Sequence, residues 1–390
     1  MNVCQYIDSV SETFGGGGIF ACALNIELNK TGKAIIITRN WRDEQETYTS
    51  QAKVKMVFPS INFMYEAKYS LINVLKFEIQ NAKVIQLLHN SMREMDVLQV
   101  HGETVPLVPH VSLPKPLVFH PWMVVKKPVC LTMHALWSLF DPEAYINNSE
   151  RRMFEKADHI VVVEKFMKEI IVRRYEVDEN KISYLPSGIS VEKAAGADAR
   201  SPLPSDVLPS DRRILFTASR LSVEKNVDMI IKAASILLRP KKDVVFLIAG
   251  TGPMMFELKK LASTLGVSNK VIFLGFVDNR TVLAIMRKCY AVINPTNLPG
   301  ASKLTMEAFA NKKPVVRANA LDTHPVIDFT SGLLYNPEDP NDLAEKLDIL
   351  LTDECFAKKL GKRGYRIVKD EYDLSKVAKG YIRIYDELIN

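Results

Sequence analysis

The stretch NPTNLPGASKLTMEAFANKKPVV, residues 294–316, carries the clearest prediction of the fold. A short β-branched segment leads into a loop with Pro and Gly, which is followed by a helical pattern with one carboxylate, Glu307, and by a second apolar strand. A strand, a helix and a second strand in this order are typical of a parallel sheet covered by helices. In such sheets ligands bind at the carboxyl ends of the strands, so the loop before Glu307 is a candidate binding loop.

The same alternation of apolar β-branched runs and helical patterns extends through most of the chain and occurs twice. The first set of runs is AIIITR, VLQVHG, VCLTMH, HIVVVE and KISYLP, and the second set is ILFTAS, VVFLIAG, KVIFLG, AVINPT and PVVRAN. The pattern predicts an α/β protein with two Rossmann-like, doubly wound parallel-sheet domains that face a cleft.

The segment between the two sets predicts the domain boundary. Residues 191–213, VEKAAGADARSPLPSDVLPSDRR, are rich in Ala, Pro, Ser and Asp and have no periodic apolar face, as expected of an interdomain linker. We place an N-terminal domain at residues 1–192, the linker at 193–213 and a C-terminal domain at 214–370. Residues 371–390 are expected to form a C-terminal helix that crosses back to the N-terminal domain.

Composition excludes several classes of protein. The chain has 390 residues, of which 47% are hydrophobic and 25% charged, as in soluble globular proteins. Its five cysteines form no CxxC pair and have no histidine at metal-ligand spacing, so neither a zinc site nor a disulfide framework is predicted. The first residues, MNVCQYIDSV, lack a basic segment followed by an apolar run, and no run of 18 apolar residues occurs. We therefore expect a protein of the reducing cytoplasm.

The net charge of +6 is modest, and the positive residues occur in clusters such as EKFMKEIIVRRY and FAKKLGKRGYR. Two interpretations stay open: solvated helix faces, or a basic surface that meets anionic lipid headgroups or a polyanionic substrate. The apolar pattern of residues 62–79 and the basic helix near Arg173 and Arg174 leave a similar choice, between a membrane-surface contact and a core-facing helix. No basic patch is interleaved with aromatic residues, so no nucleic-acid partner is predicted.

Two loops carry residues suited to an anion. Four glycines, residues 15–18, stand at the start of an amphipathic helix, where the backbone can approach a ligand and free N–H groups favour an anion. A plain tight turn is the alternative, because neither a GxGxxG fingerprint nor a P-loop is present. Arg220 and Lys225 follow the run ILFTAS, and two cations at a strand's carboxyl end can share a diphosphate. Ordinary surface charge is the alternative for this pair.

The order of these motifs resembles that of the retaining glycosyltransferases of family 4, which have the two-domain glycosyltransferase B fold. SRLSVEKN matches the family's Arg and Lys segment, GTGP its Gly-Asp-Gly-Pro turn, FLGFV its base-facing strand end and KLTMEAFANKKPVV its carboxylate helix. The first half agrees more loosely, through the glycine loop, the segment ADHIVVVEKFMKEIIVRRY and LPSGIS, where the family has Pro-Asn-Gly-Val. The resemblance covers nearly the whole chain and is strongest from about residue 183 to residue 335.

The resemblance implies a role for each half and for individual residues. The N-terminal domain would bind the acceptor, and the C-terminal domain the nucleotide sugar. Arg220 and Lys225 would bind the donor diphosphate and stabilise the charge that grows on the leaving nucleotide. His134 would lie beside the donor sugar, with a hydrogen-bonded structural histidine as the alternative, and Glu307 would hold the ribose hydroxyls. The other predicted donor-binding residues are Gly16, Gly17, Gly252, Phe276, Val277, Gly300, Ala301, Ser302 and Lys303.

The chain departs from the family at one position. Eight positions before the ribose glutamate the family has a Glu that contacts the transferred sugar, and this chain has Pro299 there. Two functions follow as hypotheses. The first is a hexosyltransferase that moves a sugar with retention from a nucleotide diphosphate sugar, such as a UDP-sugar or a GDP-sugar, to a glycan, a glycolipid or a lipid-linked acceptor. The alternative is a non-catalytic relative that binds nucleotide or glycan as a partner or regulatory subunit.

The reaction usually assigned to this family indicates whether a metal ion is needed. In that account the departing phosphate receives the acceptor proton on the same face of the sugar, so catalysis depends on positioning and charge stabilisation. The sequence has no Asp-x-Asp motif. We therefore expect metal-independent transfer, no cofactor apart from the donor substrate, and a cytoplasmic protein for which a peripheral membrane contact stays an alternative.

Overall fold

The computed structural model describes residues 1–11, 16–42, 54–56, 82–103, 121–136, 146–196, 212–238 and 243–390. These residues form two compact units, one of residues 1–188 with 374–390 and one of residues 189–373. A parallel sheet runs through each unit, which confirms the predicted α/β class with two Rossmann-like domains.

The first unit has a seven-stranded sheet whose pairings are all parallel, in the order β3-β2-β1-β4-β5-β6-β7. The strands are β1 Asn2–Ser11, β2 Lys33–Arg42, β3 Val54–Met56, β4 Val97–Glu103, β5 Val129–Ala135, β6 His159–Val162 and β7 Ile182–Tyr184. Their apolar runs are buried because helices cover both faces of a sheet of this kind. The strand order reverses between β1 and β4, so this is the unit's topological switch point.

The helices of the first unit include one from the far end of the chain. The unit contains α1 Gly16–Leu28, α2 at residues 82–91, α3 Ile146–Lys156, α4 Lys165–Tyr175 and the C-terminal helix α12, Leu374–Ile389. The hydroxyl of Tyr381 lies 2.9 Å from Thr132 Oγ1. The hydroxyl of Tyr385 donates to Gln99 Oε1 at 2.8 Å. Both tyrosines are fully buried, so α12 is part of this unit's core.

The second unit has a six-stranded parallel sheet in the order β10-β9-β8-β11-β12-β13. Its strands are β8 Arg213–Ala218, β9 Val244–Ala249, β10 Val271–Gly275, β11 Ala291–Asn294, β12 Val315–Ala318 and β13 Leu333–Tyr335. Its helices are α5 Val191–Gly196, α6 Val227–Leu237, α7 Met255–Thr264, α8 Asn279–Lys288, α9 Lys303–Ala310, α10 Pro340–Thr352 and α11 Glu354–Glu371. The order reverses between β8 and β11, where ligands bind in sheets of this type.

The structure differs from the predicted linker at both of its ends. Residues 193–196 lie in helix α5, and Arg213 begins β8. Helix α5 buries Val191 and Ala194, and the side chain of Asn311 donates to the carbonyl of Ala194 at 3.0 Å. Because α5 has only six residues, two of them buried, its apolar face is too short to appear as a periodic pattern. The middle of the predicted linker, residues 197–211, lies outside the described residues.

Candidate functional site

A cleft of about 210 Å³ opens in the second unit where β8 and β11 lie side by side. It is at the topological switch point of the sheet. The lining residues are Thr217, Ala218, Ser219, Arg220, Lys225, Asn294, Pro295, Thr296, Ser302 and Leu304. Two of these ten residues are cations, four carry hydroxyl groups and none is a carboxylate, so the cleft is suited to an anion.

Arg220 stands at the exposed rim of the cleft, directly after β8. Its side chain is 48% exposed, and Nη2 pairs with Glu224 Oε1 at 3.1 Å. The carboxylate also accepts from the Ser222 hydroxyl at 2.6 Å, and this bond, together with the charge of Arg220, lowers the pKa of Glu224. The hydroxyl of Thr296 donates to the Glu224 carbonyl at 3.1 Å. Glu224 therefore orients the guanidinium and joins the two sides of the cleft.

Lys225 is the more buried of the two cations. It ends a single 3₁₀ turn, Val223–Lys225, so its side chain is carried by a short rigid segment. Burial lowers the pKa of Lys225 below the ordinary value for lysine; attraction to Glu224 opposes this effect, and repulsion by Arg220 adds to it. An ammonium group that has lost solvation without full compensation gains from an anionic ligand. The position of Lys225 in the cleft is therefore suited to an anionic ligand.

Helix α9 begins at the opposite side of the cleft. Ser302 is its N-cap, and the Ser302 hydroxyl accepts from the backbone N–H of Thr305 at 3.1 Å and from Asn294 Nδ2 at 2.9 Å. The Ser302 hydroxyl satisfies only one of the free N–H groups at the start of α9. The positive end of the helix dipole can therefore still attract an anion. Sequence reasoning missed Asn294, although a buried polar residue at the end of an apolar strand is a recognisable signal.

The loop before α9 contains Pro299, Gly300 and Ala301, three of the residues singled out in the sequence. Gly300 has φ of +98° and donates its backbone N–H to the carbonyl of Asp322 at 2.9 Å. The structure does not bring Gly300 to the lining of the cleft, and its amide is already bonded. Pro299 is partly buried. Ala301 is likewise outside the cleft lining and packs against the core on the side of α9.

Glu307 lies one turn into α9 and is 5% exposed. Its Oε1 is 3.5 Å from Lys303 Nζ and 3.4 Å from Asn279 Nδ2, and Lys303 donates to Asn279 Oδ1 at 3.1 Å. The three side chains form a closed triangle beside the cleft. Two of them were predicted from the motif, whereas Asn279, the first residue of α8, was missed because it is 28 positions from Glu307 in the sequence.

The glycines of the GTGP turn have a packing role. An added Cβ at Gly252 would lie 2.3 Å from the carbonyl oxygen of Leu221, and one at Gly250 would lie 1.8 Å from that of Ser219. The turn is bonded to the segment that carries Arg220, through Leu221 N–H to the Thr251 carbonyl at 2.9 Å. Both positions thus require glycine because a side chain would collide with a neighbouring backbone carbonyl. Gly252 does not line the cleft.

The end of β10 presents the residues predicted to face the base. Phe276 is 61% exposed and follows Gly275, whose φ is +68°. Val277 is partly buried and packs against the core between the sheet and α8. An exposed aromatic ring at a strand's carboxyl end provides a face for a planar group, so the geometry is compatible with the predicted contact at Phe276.

In the first unit, His134 lies near the end of β5. Its Nε2 is 3.1 Å from Nδ1 of His101, at the end of β4, and Phe20 meets both imidazole rings edge to face. Burial lowers the pKa of His134 to about 4 and, with the neighbouring His134, holds the pKa of His101 well below its usual value. Both rings are therefore neutral. Gly16 and Gly17 form the first turn of α1, the helix that carries Phe20.

Other expectations concern metals and membranes. The described residues contain no group of three or more side chains of the types His, Cys, Asp and Glu placed to hold a metal ion. Nor does any described helix combine the length and apolar character needed to cross a bilayer. On α4, Arg173 pairs with Glu169 at 2.7 Å, while the helix buries Met167 and Ile171. The apolar pattern of residues 62–79 lies outside the described residues.

Two family models match the chain, one over each part. The model described as Glycosyltransferase Family 4 matches residues 14–193, and the one described as Glycosyl transferases group 1 matches residues 203–367. Among curated proteins, the uncharacterized glycosyltransferase YqgM of Bacillus subtilis is 23% identical over 344 residues, which is 85% of this chain and 90% of that protein.

Solved structures share the fold at low sequence identity. The crystal structure of Anabaena HepE in complex with UDP superposes with a TM-score of 0.74 at 16% identity and covers 99% of this chain and 100% of that one. Sucrose-phosphate synthase from Thermosynechococcus elongatus gives a TM-score of 0.73 at 17% identity, covering 100% of this chain and 99% of that one. At these identities the likeness concerns the fold alone.

Proposed function

We propose a donor and a reaction for this chain, which belongs to glycosyltransferase family 4 and has the glycosyltransferase B fold. The resemblance of its motifs to that family is confirmed, and the chain is a glycosyltransferase enzyme. The alternative of a non-catalytic relative is disfavoured for the same reason. As donor we propose a UDP-sugar, which is supported by the complexes of Anabaena HepE with UDP and with UDP-glucose.

The observation that carries the proposal is the cleft between β8 and β11. Arg220 and the desolvated Lys225 stand on one side of it and the N-terminus of α9 on the other, with no carboxylate among the ten lining residues. A guanidinium, an ammonium and a helix N-terminus around one small cleft suit a diphosphate better than a neutral ligand or a single carboxylate.

The reaction we propose is transfer with retention at the anomeric carbon. The bond from that carbon to the diphosphate oxygen breaks, an acceptor oxygen forms a new bond on the same face of the sugar, and the acceptor proton passes to the departing diphosphate. Arg220 and Lys225 stabilise the negative charge that grows on the diphosphate. Removing one such charge contact costs roughly 100- to 1,000-fold in turnover when the contact is made mainly in the transition state.

We also propose contacts between the donor and Glu307, Phe276 and His134. Glu307 receives the ribose hydroxyls once Lys303 and Asn279 give way, and Phe276 lies against the base. His134 donates a hydrogen bond to the transferred sugar. Pro299 leaves the sugar without the family's carboxylate contact, so we propose a donor whose sugar is held by other residues of the site. Transfer proceeds without a metal ion.

The acceptor we propose is a glycan or a lipid-linked saccharide, bound by the N-terminal unit. Support comes from the basic residues of α4, of which Arg173 is largely exposed even though it pairs with Glu169. The charge of this helix suits an anionic membrane surface, at which a lipid-linked acceptor would be presented. The protein would then act on the cytoplasmic side as a peripheral enzyme.

Donor binding and turnover test the proposal together. Thermal shift with UDP, GDP and a panel of their sugars should show stabilisation by UDP compounds, and UDP release should rise only when a suitable acceptor is added. Lys225→Met should abolish both effects, while Arg280→Met, at an exposed arginine of α8, should change neither. Stabilisation by GDP compounds alone would contradict the proposed donor, and transfer with inverted anomeric configuration would contradict the reaction.

A further inference from the structure

The pair of histidines at the ends of β4 and β5 has a geometry that fixes where its protons lie. His101 Nδ1 and His134 Nε2 are 3.1 Å apart, the ring planes differ by 16°, and the ring centroids are 5.4 Å apart. The centroid distance equals the nitrogen contact plus about one ring radius on each side, so the rings meet edge to edge in one plane. This is the geometry of an in-line N–H···N hydrogen bond.

Only one proton can lie between the two facing nitrogens, because two N–H groups pointing at each other would repel. Since both imidazoles are neutral, each carries a single ring proton. If His134 Nε2 donated, the proton of His101 would have to be on its Nε2. That atom is buried and, among the residues that the structure describes, has no hydrogen-bond partner. A buried N–H without a partner loses its full solvation.

In the opposite arrangement the buried Nε2 of His101 carries no proton, so that ring has no buried N–H without a partner. His101 then donates from Nδ1 to His134 Nε2, and the single proton of His134 is on Nδ1. The two residues differ in access: His101 is 3% exposed, whereas His134 is only partly buried. His134 can therefore meet a ligand, and His101 can act only through His134.

Phe20 restricts both rings. Its ring meets His101 at a centroid distance of 6.1 Å and an angle of 75°, and His134 at 5.7 Å and 69°. Phe20 lies in α1 four positions after Gly16, so the pair is anchored close to the start of that helix.

We propose that His101 is a positioning residue that holds His134 with its proton on Nδ1, so that His134 presents a fixed hydrogen-bond donor to the transferred sugar. The contact with the sugar rests on the proposed function, whereas the position of the proton does not. Without His101, the free imidazole of His134 would adopt either tautomer and rotate about its side-chain bonds. In metal sites, loss of a group that orients a functional histidine costs roughly 10- to 100-fold in activity, and we expect a loss of that size here.

The test uses the full chain labelled with ¹⁵N at histidine and long-range ¹H–¹⁵N correlation spectra, with His134 assigned through its loss in His134→Gln. In the parent, His134 should show a protonated Nδ1 and no titration from about pH 5.5 to pH 8. His101→Leu should move the proton partly or wholly to Nε2. His101→Asn, whose side-chain amide replaces Nδ1 at the same distance from the backbone, should restore the parent tautomer.

Turnover provides the second readout. We expect His101→Leu to lower kcat with little change in KM for the donor, and His101→Asn to recover most of the loss. His159→Leu is the matched control, because it removes a histidine bonded to Ser183 at 2.9 Å at the amino end of β6, and it should change neither readout. A proton on Nε2 of His134 in the parent, or an unchanged tautomer in His101→Leu, would overturn the proposal even if no donor is turned over. A correct tautomer with unaltered kcat in both His101→Leu and His134→Gln would instead overturn the sugar contact.

Discussion

Replacing Glu307 with glutamine should weaken binding of UDP without weakening binding of inorganic diphosphate. The substitution keeps the size of the side chain and removes its charge. Among the residues that the structure describes, the carboxylate has contacts to Lys303 at 3.5 Å and to Asn279 at 3.4 Å. Both are longer than the 2.7–2.9 Å of a strong charge-assisted hydrogen bond, so they give way to ribose hydroxyls at little cost. The diphosphate cations, Arg220 and Lys225, are untouched.

The size of the effect follows from one hydrogen bond to a buried charge. Such a bond contributes on the order of 1.5 to 3 kcal/mol, and each 1.4 kcal/mol is tenfold in affinity, so the Kd for UDP should rise roughly 10- to 150-fold. Calorimetry with UDP and with inorganic diphosphate measures the two affinities separately. Glu257→Gln, at an exposed position of α7, is the matched control and should leave both unchanged.

Either of two results would refute the reasoning. If Glu307→Gln binds UDP as tightly as the parent, the carboxylate does not hold the ribose and the triangle with Lys303 and Asn279 is purely structural. If the affinity for diphosphate falls as much as that for UDP, the substitution acts through α9 as a whole, and the assignment of separate ribose and diphosphate contacts is wrong.

Four more predictions follow from single features of the second unit and its reaction. Because burial lowers the pKa of Lys225, affinity for diphosphate should fall as pH rises through that lowered pKa and the ammonium group loses its charge, and calorimetry of Lys225→Met should lack that dependence. Gly250→Ala places a Cβ 1.8 Å from the Ser219 carbonyl and should lower the free energy of unfolding by at least about 1–3 kcal/mol, whereas Gly266→Ala, also at positive φ but with open space around it, should cost less in the same denaturant titration. Pro299→Glu should leave the Kd for free UDP nearly unchanged while altering the order of preference among UDP-sugars. Transfer should persist in EDTA, and a loss of activity that added metal restores would contradict the metal-independent reaction.

The fold could be predicted from sequence because most strands are continuous apolar runs. The run ILFTAS predicts a strand at residues 214–219, and β8 spans Arg213–Ala218. Strand β1, Asn2–Ser11, was missed, because Gln5, Asp8 and Ser9 interrupt its apolar pattern. Gln5 is nevertheless completely buried, which a local pattern does not reveal. The partners of α12 could not be predicted, since Tyr385 and Gln99 are 286 positions apart in the sequence.

The candidate site was predictable only where its residues share a motif. Arg220 and Lys225 stand five positions apart and line one cleft, while Lys303 and Glu307 share one helix face because four residues make about one turn. Partners contributed by other segments were not visible: Asn279 meets Glu307, and His101 meets His134 from the neighbouring strand. Spacing in the sequence predicts contacts between residues of the same helix or strand. Contacts between different segments depend on which strands and helices are adjacent in space.

The backbone of the loop that carries Pro299 is held in place without a carboxylate at that position. Arg317, at the end of β12, is completely buried and donates from Nη2 to the carbonyl of Leu298 at 2.9 Å. On the other side of Pro299, the backbone N–H of Gly300 donates to the carbonyl of Asp322 at 2.9 Å, and Arg317 Nη2 reaches the same carbonyl at 3.3 Å. The loop is thus fixed on both flanks of Pro299 by bonds to main-chain carbonyls, none of which involves the side chain at that position. Because this support is independent of residue 299, we expect Pro299→Glu to leave the backbone of the loop and the cleft beside it unchanged, so that any effect of the new carboxylate is confined to the preference among donor sugars.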